Sequence, residues 1–254
     1  MWFNQIATGN LFGISNINSI KTNRQSYGVN FGQTLTQDTF QNNSPTRLFN
    51  ELAIKKMIAD NPEIRQLLRQ NKLSTNLNIK ELQDLKNGHC QETQNISMAI
   101  LKHLPKVISQ NIDPATLKDG AMLHDFGKVL IPPEILNKNT KLTEDEHKIM
   151  DLHSELGYQL LKTTGTKEEV LELVRNHHNT LNGTDKNKPF VQNPALQIIN
   201  VADKYSALTE KRTYKEAFSK EKALAILAQE AEEGKIPVIV LKALKDSLDC
   251  GDIA

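Results

Sequence analysis

From Ser44-Pro45 onward the chain is a succession of helix-start signals, with almost no alternating apolar pattern between them. Proline is tolerated in the first turn of a helix, where its missing N–H has no partner to lose, and Asn or Asp just before it caps that turn. Asn61-Pro62-Glu63 and Asp113-Pro114 have this form, and Asn78 with Glu81 marks another start. Thr143-Glu144-Asp145-Glu146 fits a capping box, and Thr166-Lys167-Glu168-Glu169 repeats the device. Apolar residues recur at helical spacing after these signals: Phe49, Leu52, Ala53 and Met57; Ile96, Ile100, Leu101 and Leu104; Leu117, Ala121 and Met122; Met150, Leu152, Leu156 and Leu160. Three more helices are expected from Pro194 to about Thr209, Ser219 to about Glu233 and Pro237 to about Leu248. Asn87-Gly88 is a local break. The pattern predicts an all-α helical bundle without a fixed-period repeat.

Residues 1–45 read differently. They are dense in Asn, Gln, Ser, Thr and Gly, and their only charged side chains are Lys21, Arg24 and Asp38. Too little apolar surface is available there to offset chain entropy, which predicts a disordered polar tail, with Tyr27–Phe31 the one candidate strand. A helical lead-in is expected over 46–80 and the main domain over 81–254. Helices in 46–88 are candidates to pack on that domain or to form a homodimer.

With 31 basic against 30 acidic residues, net charge is +1, so no electrostatic case exists for a nucleic-acid polymer or an anionic membrane as partner. No apolar run approaches the roughly 18 residues of a spanning helix, and the first residues lack a signal-peptide pattern. Two cysteines, Cys90 and Cys250, exclude a disulfide framework and a four-cysteine zinc site. Together these predict a reducing, cytoplasmic setting, with Cys90 a small buried hydrophobe.

Chemistry concentrates in the histidines. Seven are present, and two dipeptides, His124-Asp125 and His177-His178, sit where helices are expected to end. After the first, Phe126-Gly127-Lys128-Val129 lets the backbone turn away at glycine while the side chains stay inward. Imidazole binds Zn, Fe, Ni or Mn, and a carboxylate can bridge two ions, so His and Asp from separate helices suit a divalent metal centre. One such pair alone is equally a helix terminus followed by a turn. Asp203 stands in the mostly apolar run Ile198-Ile199-Asn200-Val201-Ala202-Asp203, where an unpaired carboxylate is costly. His103 and His147 are read as surface residues of amphipathic helices.

The ordered set His89, His124-Asp125, His153, His177-His178 and Asp203 resembles the HD-domain metal-dependent phosphohydrolases. Within them it is most similar to the HD-GYP branch, the cyclic di-GMP phosphodiesterases. The likeness runs through His124-Asp125-Phe126-Gly127-Lys128-Val129-Leu130-Ile131-Pro132, Ile135-Leu136-Asn137-Lys138, Leu142-Thr143, Glu146 and Gly157. It continues through Asn200-Val201-Ala202-Asp203-Lys204-Tyr205-Ser206-Ala207-Leu208-Thr209 and closes on Arg212-Thr213-Tyr214-Lys215. It implies an HD-domain fold in which His89, His124, Asp125 and Asp203 hold one ion. His153, His177 and His178 supply a second, bridged by Asp125. Two divalent ions are implied, Fe or Mn first, with Zn and Ni compatible. Asp125 and Lys128 are the implied catalytic residues, and Lys128, Arg212 and Lys215 the implied phosphate contacts.

Departures from the family pattern bear on substrate. The family's Glu after the tandem histidines and its Gly-Tyr-Pro triplet are replaced by Asn179-Thr180-Leu181-Asn182-Gly183-Thr184-Asp185-Lys186-Asn187-Lys188-Pro189, in which Gly183 and Pro189 remain. The family's second Asp is Ser206, and an acidic residue that some members carry before the first His is Leu85, which argues against a third ion. The leading expectation is hydrolysis of a cyclic dinucleotide, first cyclic di-GMP. The alternatives are an HD-type nucleotide or alarmone phosphohydrolase, a di-iron oxygenase, and a catalytically degenerate nucleotide-binding signalling module.

Overall fold

A computed structural model describes residues 45–180, 193–210 and 217–253. Expectations placed on residues 1–44, on Gly183 and Pro189, and on Arg212 and Lys215 lie outside the described residues. All described residues belong to one unit, Asn43–Ala254. They form helices and no strand, as the start signals predict: α1 Glu51–Asp60, α2 Pro62–Gln70, α3 Ile79–Asn87, α4 His89–His103, α5 Lys106–Ser109 and α6 Pro114–Leu123, then α7 Pro133–Leu136, α8 Glu144–Leu161, α9 Glu168–Asn176, α10 Pro194–Thr209, α11 Lys220–Glu232 and α12 Val238–Asp249. A 3-10 turn over Phe126–Leu130 separates α6 from α7. No helix among the described residues is long and apolar enough to cross a membrane.

The caps account for most of these boundaries. Asn61 Oδ1 accepts from the Glu63 and Ile64 amides, and its Nδ2 donates to Gln159 O at 2.6 Å, so one buried carboxamide starts α2 and ties it to α8. Asp113 and Asn193 cap the proline-led helices α6 and α10. Thr143 and Glu146 complete the capping box of α8. The Thr166 expectation fails: α9 begins after Lys167 with no side-chain cap, and the Thr166 hydroxyl meets that of Thr164 at 2.7 Å instead. Leu52 is also misread, being 77% exposed, because the inward face of α1 is Ile54, Met57 and Ile58.

Two hydrophobic clusters hold the bundle. One joins Ile96 and Ile100 of α4 to Leu117 and Ala121 of α6, Ile198 and Ile199 of α10, and Leu241 and Leu244 of α12. The other joins Ile54, Ile64 and Leu82 of α1–α3 to Phe126, Val129, and Leu156 and Leu160 of α8. Each fully buried Leu or Ile contributes roughly 1.5–3 kcal/mol relative to exposure. Helix α6 serves both clusters, giving Leu117 and Ala121 to the first and Met122 and Leu123 to the second. Helix α9 divides likewise, with Leu173 in the first and Val170, Leu171 and Val174 in the second. The C-terminal ends of these shared helices, His124 and His177, are therefore fixed from two sides.

Candidate metal centre

Five segments bring the polar residues together. His89 opens α4, immediately after the break at Gly88. His124 caps the end of α6 and Asp125 follows it. His153 lies in α8, His177 ends α9 with His178 next to it, and Asp203 lies in α10. Close backbone packing sets the register: a Cβ on Gly127 would fall 2.0 Å from His153 O and 2.5 Å from Gly157 N. Only glycine at 127 lets the turn after Asp125 lie directly on α8 beside His153. The Asn78 amide donates to Val129 O at 2.8 Å and pins that turn from the α3 side.

Two groups of side chains result, and Asp125 belongs to both. In one, ligand atoms of His89, His124, Asp125 and Asp203 all lie within 4.8 Å of one another; in the other, those of Asp125, His153, His177 and His178 do. His89 Nε2 is 3.0 Å from Asp203 Oδ1 and 3.5 Å from Asp125 Oδ2. His124 Nε2 is 3.4 Å from that same Asp125 oxygen. The second Asp125 oxygen faces the other group, 3.3 Å from His153 Nε2 and 3.7 Å from His177 Nε2. Lys128 Nζ donates to Asp125 Oδ2 at 2.5 Å. His89, His124, Asp125, His153 and His177 are buried, while Asp203 and His178 are partly open. A cavity of about 380 Å³ borders His89, walled by Asn87, Glu92, Ser206 and Glu210.

The donor set fits a metal on an observation independent of sequence pattern. His124, His153 and His177 each donate Nδ1–H to the carbonyl three residues back, Ala121 at 2.7 Å, Met150 at 2.6 Å and Val174 at 2.7 Å. A carbonyl oxygen only accepts, so the proton of each neutral ring is at Nδ1 and its Nε2 is a bare lone pair. His153 Nε2 nevertheless lies 3.2 Å from His177 Nε2. Lone pairs that close repel unless a cation is shared between them. His124 Nε2 is buried and has no hydrogen-bond partner among the described residues.

Electrostatics point the same way. Burial works against the Asp125 charge, but Lys128 and His124 beside it hold its carboxyl well below the usual range. Burial likewise works against the Asp203 charge, which the His124 ring at 3.7 Å and the His89 ring at 3.0 Å override, holding the carboxyl again well below the usual range. Burial lowers His153, with Asp125 partly offsetting it, and burial with His178 nearby holds His177 well below the usual imidazole range. Both rings are thus neutral and able to ligate. Burial also disfavours charge on His124, but the Asp125 carboxylate raises it well above the usual range, so positive charge is favoured at its Nε2. A divalent ion supplies that charge as well as a proton does. Burial pushes the Cys90 thiol up, which keeps it protonated next to His124.

A family model described as HD domain matches residues 67–236. The chain belongs to the HD-domain family. Curated relatives include the cyclic di-GMP phosphodiesterase response regulator RpfG of Xanthomonas campestris, 36% identical over 124 residues, covering 46% of this chain and 32% of that protein. A cyclic di-GMP phosphodiesterase of Vibrio cholerae is 29% identical over 233 residues, covering 82% of this chain and 47% of that protein. A 3′3′-cGAMP-specific phosphodiesterase 1 of Vibrio cholerae is 30% identical over 151 residues, 58% of this chain and 35% of that protein. This HD-domain chain therefore spans less than half the length of these relatives. Among solved structures, the HD domain of the L. monocytogenes phosphodiesterase PgpH covers 80% of this chain and 97% of its own, at 18% identity and a TM-score of 0.51. That likeness establishes the fold.

All seven residues expected at the metal centre of the HD domain converge, and Lys128 joins them through Asp125. His147 is exposed, as expected; His103 is half-buried and bonded to Asp252 at 2.6 Å. Sequence reasoning missed three neighbours of the site. Ser206 Oγ lies 3.1 Å from His89 Nδ1, Ser154 Oγ 3.5 Å from His153 Nε2, and Asn200 Nδ2 donates to His177 O at 2.9 Å. The helical spacing of Asp203 and Ser206, one turn apart, was the available signal for the first.

Proposed function

We propose that this chain is a metal-dependent phosphodiesterase hydrolysing a cyclic dinucleotide, with cyclic di-GMP the first candidate. The observation that carries the reading is the single buried carboxylate, Asp125, turned with one oxygen toward each of two imidazole groups. Names of relatives support the substrate class: cyclic di-GMP and 3′3′-cGAMP phosphodiesterases, and a PgpH HD domain crystallised with cyclic-di-AMP.

In this reading His89, His124, Asp125 and Asp203 hold one ion, and Asp125, His153, His177 and His178 the other, with Fe or Mn the first candidates. Bound there, the ions supply Lewis acidity toward the phosphoryl oxygens and lower the pKa of water toward about 7. Backbone-anchored imidazoles keep their Nε2 atoms aimed without reorganisation. Asp125 keeps its charge because Lys128 sits against it, and Lys128 also places a cation where charge builds on the phosphoryl group. Arg212 and Lys215 are assigned to the substrate phosphates, Arg offering a planar fork for bidentate contact.

The test is hydrolysis by protein loaded with Mn(II) or Fe(II) and offered cyclic di-GMP, 3′3′-cGAMP, cyclic-di-AMP and mononucleotides. The expected products are a linear dinucleotide or mononucleotides from a cyclic substrate, with loss of roughly 100-fold or more in Asp125→Ala. Turnover of mononucleotides alone would move the assignment to nucleotide phosphohydrolase. Bound metal with oxygen uptake and no phosphodiester cleavage would make it an oxygenase, and a chain that binds nucleotide but no metal a signalling module.

A further inference from the structure

The four buried imidazoles around Asp125 are not aimed by the same device. His124 and His177 lie at helix ends and His153 lies mid-helix, all with a full turn of helix behind them, and each is locked by the carbonyl three residues back. His89 is the first residue of α4, and the preceding residue, Gly88, has neither helical dihedrals nor a side chain to cap with. A side chain at 88 is excluded, since its Cβ would meet Asp84 O at 2.7 Å. The residue three back from His89 belongs to α3, on the far side of the break. No helical turn precedes His89 to orient it, and its Nδ1 reaches instead to Ser206 Oγ on α10, at 3.1 Å. Ser206 is buried, 2% exposed, and stands one turn after Asp203. The Glu210 carboxylate is 3.7 Å from the same nitrogen, beyond hydrogen-bond distance and 39% exposed.

We propose that Ser206 is the positioning residue of His89, supplying from α10 the orienting bond that the start of α4 cannot. This rests on the reading that both groups hold ions. A carbonyl fixes one tautomer, whereas a hydroxyl both accepts and donates. With no ion, His89 Nε2–H donates to Asp203 Oδ1 at 3.0 Å, and Nδ1 accepts from the Ser206 hydroxyl. Were an ion held at Nε2, the ring hydrogen would have to sit on Nδ1, and the Ser206 hydroxyl could rotate to accept it. The hydroxyl can thus hold His89 whichever ring nitrogen carries the hydrogen, as the carbonyls of Ala121, Met150 and Val174 hold the other three rings.

The experiment is competition between the full-length chain and a chelator, with Mn(II) as the ion, followed by metal content per chain. Ser206→Ala is expected to weaken one ion by roughly 10–100-fold, as for removal of a partner behind a metal-bound histidine, and to leave the other as in wild type. Ser206→Thr keeps the hydroxyl and restores the first ion. Long-range proton–nitrogen spectra of the metal-free chain should place the His89 proton on Nε2 in wild type and in Ser206→Thr. Wild-type affinity for both ions in Ser206→Ala overturns the assignment. So does equal weakening of both, or a loss that Thr does not rescue. Because affinity is read without substrate, two bound ions with no phosphodiester cleavage would remove the proposed activity alone. A wild-type chain that takes up no ion overturns both.

Discussion

At the scale of single residues, the heaviest demand falls on Asp125, whose two oxygens face different imidazole groups while Lys128 donates to one of them. An amide at this position keeps the shape and loses the shared charge. Asp125→Asn should therefore reduce metal content below wild type and lower hydrolysis by roughly 100-fold or more, read by metal analysis beside a rate assay. Lys128→Met separates holding from chemistry. Metal content should stay near wild type while kcat falls about 100–1,000-fold, the scale of one lost electrostatic contact in a transition state. Loss of both ions in that variant would make Lys128 a support for Asp125 and nothing more. Asp203 stood out in sequence because an unpaired carboxylate is expensive in an apolar helix, while the full candidate ligand set was legible only through the resemblance to the HD-domain family. The carbonyls of Ala121, Met150 and Val174 were not legible, since any residue provides one. Ser206 was visible only as a departure from the family pattern, because its contact with His89 joins residues 117 apart in the chain.

At the scale of elements, the contact between the 3-10 turn and α8 positions the centre. A methyl on Gly127 would have to displace the His153 carbonyl and the Gly157 amide, both backbone. Gly127→Ala should cost about 3 kcal/mol or more by overpacking and lower metal affinity with it, seen as a shifted urea midpoint and reduced ion uptake. The start of α8 makes a separate pH prediction. Glu146 accepts hydrogen bonds from Lys138 and the Thr143 amide, which lower its carboxyl from 4.5 to about 2. A depressed carboxyl stabilises the fold fully above about 4.5, and that contribution is lost as pH falls toward about 2. Thermal melting between those limits should drop less steeply in Glu146→Gln than in wild type. Caps with a local signature were read correctly, as at Asn61, Asn78, Asp113 and Thr143. The α9 start was misread because Thr164 offers the Thr166 hydroxyl a competing partner that no local pattern announces.

At the scale of the molecule, two apolar clusters meet along α6 and α9, and the polar centre sits where those helices end. Periodicity predicted the all-α class, since most helices show a single apolar face. It could not show that α1–α3 share a cluster with α8, because pairing of helices distant in the chain is a tertiary outcome. The geometry places the two candidate ion positions on either side of Asp125, and the most direct check is a crystal grown with Mn(II) and measured at the manganese edge. Two anomalous peaks roughly 3.5–4 Å apart are expected, one among His89, His124, Asp125 and Asp203, the other among Asp125, His153, His177 and His178. A map with no peak at these residues, or with ions bound only elsewhere on the chain, would contradict the account.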